Sequence, residues 1–135
     1  MSIGAGSADD ARWWFEDYLE ACNRHDLAAV RGLLDPDVRR AHLPRGADAW
    51  VDALAELFTA FPDYRWKRIA LVVEDDRVAA HLRTRGTHRG RFADVEPTGR
   101  HVGTAEFVFV RVVSGRAVEF AGSDPAADLR AQLLA

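Results

Sequence analysis

Apolar positions along the chain change their period once, near residue 64. Before that point they recur every three or four residues, the spacing of a helix face. Trp14, Tyr18 and Cys22 stand at i, i+4 and i+8, and Phe15 and Leu19 widen their stripe. Ser7-Ala-Asp-Asp10 has the form of a helix start, with a serine N-cap and acids in the positive first turn. The spacing predicts a helix from there to about Arg24, after a small-residue tail over residues 1–7 that is expected to be mobile. Asp26 can cap a second, short helix over Leu27–Leu34, which should stop before Asp35-Pro36-Asp37. Val38–Leu43 reads as a short strand broken by Pro44-Arg45-Gly46. A third helix follows from Ala47 to about Ala60, with Trp50, Leu54 and Leu57 on one face. Phe61-Pro62 ends it, because proline lacks the amide proton and disfavours helical backbone in the residue before it.

From Tyr64 the period becomes two. Tyr64–Val73 is a strand, Glu74-Asp75-Asp76 a turn, and Arg77–His88 the next strand. One face of the latter carries Val78, Ala80, Leu82, Thr84 and His88, the other Ala79, His81, Arg83 and Arg85. Gly86–Val102 connects it to a long strand, Arg100–Val113, in which Glu106 alternates with Val108, Val110 and Val112 while Phe107 and Phe109 point the other way. Ser114-Gly115 turns that strand into Arg116–Ser123, and Pro125–Leu134 reads as a closing helix. Three N-terminal helices and four hairpin-connected strands predict an α+β domain, with the helices packed on one face of a curved antiparallel sheet.

Composition narrows the classes of function. At 135 residues the chain is one domain, 1–135, large enough for a real core. Apolar residues make up 48% and charged ones 29%, a globular balance. Eighteen basic against twenty-one acidic residues leave a net charge of −3, which provides no field for nucleic acid. A single cysteine, Cys22, excludes an internal disulfide framework and a cysteine metal cluster, and its place on an apolar helix face suits a small buried hydrophobe. The first residues lack the basic start and apolar run of a signal peptide, and no segment has the length of a membrane span. The reading is a soluble, cytoplasmic protein with no membrane or nucleic-acid partner.

The chain contains no His-Glu-x-x-His, no cysteine pair, no Gly-x-Ser-x-Gly, no phosphate loop and no dinucleotide fingerprint. Neither a metal nor a cofactor is expected, which leaves acid/base chemistry or plain binding. Three residues are candidates. His88 shares a strand face with valine and leucine, so it serves either as a proton shuttle in a cavity or as a core histidine bonded to the backbone. Glu106 interrupts an apolar strand: if the valine face lines a cavity, desolvation raises its pKa, and if that face meets solvent it is an ordinary surface charge. Asp124 follows the last strand, where it can face a substrate or merely cap the final helix ahead of Pro125.

The connector carries a more specific signal. Two glycines bracket Thr-His-Arg, and Glu96-Pro97-Thr98-Gly99 has the residues of a turn. Gly86-Thr-His-Arg-Gly90 followed by Glu96-Pro-Thr-Gly-Arg100 resembles the signature of SnoaL-like polyketide cyclases, members of the nuclear transport factor 2-like superfamily of conical α+β domains. Asn23-Arg-His-Asp-Leu27, Phe61-Pro-Asp63, Arg111, Gly115-Arg116 and Gln132-Leu133 extend the resemblance along most of the chain. The resemblance implies a cone whose open end holds a hydrophobic small molecule, and a homodimer formed through sheet faces. The arginine-rich face of the 77–88 strand is the candidate contact. It also implies that an aspartate after the last strand removes a proton from an activated carbon of a polyketide-like substrate, whose enolate then closes a ring. Asp124 takes that role here, with His88 and Glu106 as further catalytic candidates. Trp14, Tyr18, Trp50, Phe58, Leu82 and His101 are the candidate substrate contacts. The sequence departs from the family pattern where Phe120-Ala121 replaces a His-Trp pair, and where Asp124 falls one position early with Pro125 in the expected place. A non-catalytic binding or assembly module, and epoxide opening by a carboxylate–arginine–carboxylate cluster, are the alternatives on the same cone.

Overall fold

The computed structural model describes residues 3–135. Its elements follow in the order α1 (Ile3–Asn23), α2 (Leu27–Gly32), β1 (Leu34–Arg40), α3 (Ala47–Ala60), β2 (Arg65–Glu74), β3 (Arg77–Thr87), β4 (His101–Val113), β5 (Arg116–Gly122) and α4 (Ala126–Leu134). The predicted α+β class and the order of its elements hold. The first helix starts at Ile3, upstream of the serine expected to cap it, so that cap and most of the expected tail are helix instead. Met1 and Ser2 lie outside the described residues. Asp26 does cap α2, its Oδ1 accepting the Ala29 amide at 3.0 Å.

The strands form one sheet in the order β1-β5-β4-β3-β2. Four of them are antiparallel neighbours, as predicted. The exception is β1, which runs parallel to β5. Nothing in the local pattern could show this, because β1 and β5 are joined by most of the chain instead of by a hairpin. That strand also begins at Leu34, earlier than expected, and includes Asp35-Pro36-Asp37. A proline that would end a helix is tolerated there because β1 is an edge strand, where a missing donor breaks no ladder.

Register shifts between β2 and β3 at Arg68/Ala70, and between β4 and β5 at Arg111/Val112, insert extra residues that bend the sheet. The concave side receives α1, which lies against β2, β3 and β4. Val78, Ala80, Leu82 and Thr84 of β3 and Val102, Thr104, Glu106, Val108, Val110 and Val112 of β4 are all buried on that side. Phe107 and Phe109 stand on the convex side, 59% and 47% exposed. The valine face is therefore the inner one.

Two apolar clusters fill the inside. The larger joins Trp14, Phe15, Cys22, Val30, Trp50 and Leu54 of the helices to the valines of the sheet. The smaller, made of Ala60, Phe61, Tyr64, Val95, Val102, Leu129 and Leu133, lies under the connector and α4. Burying a side chain of the size of Phe15 or Phe61 contributes about 1.5–3 kcal/mol. The cavity described next is walled mostly by members of the larger cluster, with Leu129 of the smaller one.

Candidate active-site cavity

A cavity of about 1000 Å³ opens between α1, α3, the inner sheet face and the start of α4. Most of its wall is apolar: Phe15, Leu19, Trp50, Leu54, Leu82, Val108, Val110 and Phe120 contribute to it. Groups able to bond or move protons interrupt this wall, among them Tyr18, Arg40, Glu106 and Asp124, with Glu56, Thr59, Arg91, Ser123 and Arg130 also bordering it. An apolar cleft with a few convergent polar groups is the usual form of a small-molecule site.

Glu106 lies on the inner face of β4, opposite Leu82 of β3, and is only 8% exposed. Its position follows from the two-residue period that places Val108 and Val110 beside it. Burial pushes its carboxyl up to about 7; Trp66 and Tyr64 hold it down by hydrogen bonding, and the charge of Asp124 raises it. The Tyr64 hydroxyl lies 3.5 Å from Glu106 Oε2 and donates to Thr84 Oγ1 at 2.9 Å, and Thr84 meets Thr104 Oγ1 at 2.7 Å. A buried polar chain thus runs from the carboxyl into the sheet. A carboxyl near 7 is populated in both protonation states at neutral pH, as a group that both takes and gives a proton requires.

Asp124 sits in the loop between β5 and α4 and is exposed at the cavity wall. Its Oδ1 accepts the Ala126 amide at 3.1 Å. The expected N-cap role is not what it fills: Pro125 is the N-cap of α4, and Asp124, one residue earlier, accepts only the first amide of the helix while its carboxylate borders the cavity.

Tyr18 projects from α1 into the cavity, stacked on Trp14 with ring centres 4.8 Å apart. Burial raises its hydroxyl well above the ordinary tyrosine range, so it remains a hydrogen-bond donor throughout the neutral range. Cys22, one turn on, is pushed up to about 12 by burial, which leaves it a thiol without nucleophilic character. Arg40 ends β1 with its guanidinium 5.0 Å from the centre of the Trp50 ring. Sequence reasoning passed over this arginine. The signal was present: Val38 is fully buried, and two residues on, the same face of the strand must carry Arg40.

The remaining candidates divide. Trp50 and Leu82 border the cavity. Trp14 is core, its indole donating to the Leu33 carbonyl at 2.7 Å. Phe58 stacks on His25 at 3.7 Å. His101 is exposed, with Nδ1 3.1 Å from Thr87 Oγ1. His88 is completely buried against Phe61 in the smaller cluster. Its Nδ1 accepts the Thr98 amide at 3.1 Å and meets Thr98 Oγ1 at 3.0 Å, while its own amide donates to the Arg100 carbonyl at 2.9 Å. The glycines of the same stretch serve close packing: a Cβ on Gly90 would stand 2.4 Å from the Thr59 carbonyl oxygen. The motif around His88 thus clamps the connector under α3. The connector meets the cavity further on, through Arg91, Phe92 and Ala93. Among the described residues no group of three acids, histidines or cysteines is placed to hold a metal ion.

The comparisons agree with this fold. The family model for the SnoaL-like polyketide cyclases matches residues 14–133. The chain belongs to the SnoaL-like polyketide cyclase family. Among solved structures, AclR from Streptomyces galilaeus, a proposed hydroxylase, superposes with a TM-score of 0.84 at 26% identity, covering 94% of this chain and 97% of its own. IdmH from Streptomyces antibioticus, a proposed polyketide cyclase, gives 0.79 at 29% identity, with 93% and 99% covered. A SnoaL-like polyketide cyclase from Agrobacterium tumefaciens gives 0.75 at 25% identity, with 90% and 97% covered. Among curated proteins none matches significantly. These neighbours share the conical nuclear transport factor 2-like fold, but their names span more than one reaction, so the chemistry has to be argued from the cavity.

Proposed function

We propose that this SnoaL-like protein is a cofactor-independent cyclase, closing a ring within a hydrophobic, polyketide-like substrate held in the cavity. The observation that carries this reading is the convergence of Glu106 and Asp124 on one apolar cavity large enough for a multi-ring molecule. Holding a flexible chain in a folded geometry supplies much of the acceleration of an intramolecular reaction. Asp124, at the wall near solvent, takes the proton from the activated carbon. Glu106 in its protonated form and the Tyr18 hydroxyl donate to the oxygen that gains charge, a role that a buried neutral carboxylic acid is suited to fill. His88 contributes by holding the connector and does not meet the substrate.

The test follows deuterium uptake at the acidic carbon of poly-β-carbonyl esters by NMR, together with cyclised product by chromatography. The expected result is enzyme-dependent exchange and ring closure, both lost in Asp124→Asn. Ligand binding without exchange or product in the wild type would leave a binding module and overturn the cyclase.

A second reading is favoured by one observation: Asp124, Arg40 and Glu106 border the same cavity, and the charge of Asp124 acts on both of the others. Such a carboxylate–arginine–carboxylate set can open an epoxide, one carboxylate activating water while a protonated partner assists the leaving oxygen. Incorporation of labelled water into a diol product would distinguish it from ring closure.

The protein is further proposed to act in the cytoplasm as a homodimer joined through the convex sheet face. Exposed Phe107, Phe109 and Val72 form an apolar area there, with His81 stacked on Phe107 at 4.5 Å. Arg83 and Arg85 of β3 flank it. Light scattering at micromolar concentration should give twice the chain mass, and Phe107→Glu should halve it.

A further inference from the structure

We infer that Tyr64 is a positioning residue for Glu106, its hydroxyl turning between Thr84 and the carboxyl so that Glu106 takes up or releases a proton while every heavy atom stays in place. The part this plays in turnover rests on the cyclase reading; the coupling of the two side chains does not.

Tyr64 is held rigidly just ahead of β2. It is fully buried, its ring edge-on to Trp66 at 4.8 Å and tilted against Phe61 at 5.9 Å. Its amide donates to the Phe61 carbonyl at 3.0 Å, and its own carbonyl meets His25 Nε2 at 2.7 Å. Gly86 makes room for the ring, since a Cβ there would stand 3.0 Å from Tyr64 Cδ1. The ring is fixed, but the hydroxyl proton is free to rotate.

That single proton has two acceptors, Thr84 Oγ1 at 2.9 Å and Glu106 Oε2 at 3.5 Å. The shorter distance assigns it to Thr84, the arrangement that suits a protonated Glu106. Thr84 Oγ1 also accepts the Thr104 amide at 3.1 Å, so its lone pairs are filled and its own proton goes to Thr104 Oγ1 at 2.7 Å. Once Glu106 has given up its proton, the chain runs backwards: Thr104 donates to Thr84, Thr84 to Tyr64, and Tyr64 to the carboxylate. Thr84 again accepts twice and donates once. A carboxylate left buried without such a donor would be costly. The Trp66 indole also bonds to Glu106, but an N–H only donates and cannot follow a change of proton. The other titratable groups facing Glu106 are Tyr18 and Cys22 of α1, kept neutral by burial, and Asp124, whose charge opposes its ionisation. Arg40 of β1, Glu56 of α3, Arg91 of the connector and Arg130 of α4 border the same cavity. None of these joins the chain of hydroxyls.

NMR of the glutamate carboxyl and tyrosine Cζ carbons against pH tests the inference without any ligand. Glu106→Gln identifies one signal, and because the chain has only two tyrosines, Tyr18→Phe identifies the other. In the wild type both signals should move together, with a common midpoint at about 7. Tyr64→Phe removes the donor from the ionised form and should raise the Glu106 midpoint by about one unit. Thr84→Val combined with Thr104→Val takes away the alternative acceptors, commits the Tyr64 proton to Glu106, and should lower the midpoint by about half a unit. Loosened packing would not produce opposite shifts. A Tyr64 signal that stays flat while Glu106 titrates overturns the inference in the wild type alone, whether or not the variants fold. Shifts of the same sign in the two variants overturn it as well. The pH profile of ring closure should follow the Glu106 midpoint in Tyr64→Phe, and a profile that ignores the shift overturns the positioning role. Coupled titration in a protein that closes no ring sustains the relay and ends the cyclase reading alone.

Discussion

Two buried ionisable groups on neighbouring strands show how differently one inner sheet face can be used. His88 follows the end of β3 and Glu106 lies midway along β4, and the alternation of both strands turns them inward. Around His88 the packing is closed, although its Nε2 is buried without a hydrogen-bond partner. Thr98 supplies an amide and a hydroxyl to the ring, the backbone of residues 99 and 100 bonds on either side, and Phe61 covers it. Glu106 has a void on one side and, on the other, Trp66 and the Tyr64 hydroxyl at 3.5 Å. The recognisable sequence motif belongs to the closed site, and the cavity belongs to the open one. Packing a connector tightly demands particular residues at fixed spacing, whereas a cavity wall demands only apolar residues with a few polar exceptions.

That contrast predicts that damage will separate into two kinds. The largest effect is expected at the open site: Asp124→Asn should slow ring closure by roughly 10²–10⁴, the range of a general acid or base. It should barely move the melting temperature, because the amide oxygen of asparagine can still accept the Ala126 amide. A fall in stability with turnover intact would make Asp124 a structural residue alone and break the comparison. The closed site should behave inversely. His88→Ala removes a fully buried ring and leaves the Thr98 amide without its acceptor, a loss of roughly 3–5 kcal/mol in denaturant unfolding. Turnover per folded molecule should be unchanged.

A finer test lies in the pH dependence of stability. The folded protein holds Glu106 at about 7, above its ordinary value of 4.5. Between those values the folded state binds the proton and the unfolded chain releases it, so stability is full below about 4.5 and falls as pH rises to 7. The loss amounts to about 3 kcal/mol above that range. Glu106→Gln should abolish this slope and stabilise the protein at pH 8 more than at pH 5, as read from unfolding curves at the two pH values. An unchanged slope would mean that Glu106 is solvated, and would remove it from the open site.

Much of this molecule was legible from local pattern. The helix over Ala47–Ala60 and the strands from Arg77 and Arg116 depend on periodicity and on breakers such as Phe61-Pro62, which act within a few residues of themselves. The inward direction of Glu106 depends on alternation and was legible in the same way, although its partner across the gap was not. The parallel pairing of β1 with β5, the inclusion of Pro36 in an edge strand, and the placing of Arg40, Asp124 and Glu106 around one cavity join segments far apart in the chain. No local rule reports them, because they are settled by which surfaces the bent sheet brings together. The same holds for the burial of His88 and the exposure of the Glu106 side to a void. Alternation fixes the side of the sheet a residue occupies; only the packed structure decides whether that side is filled.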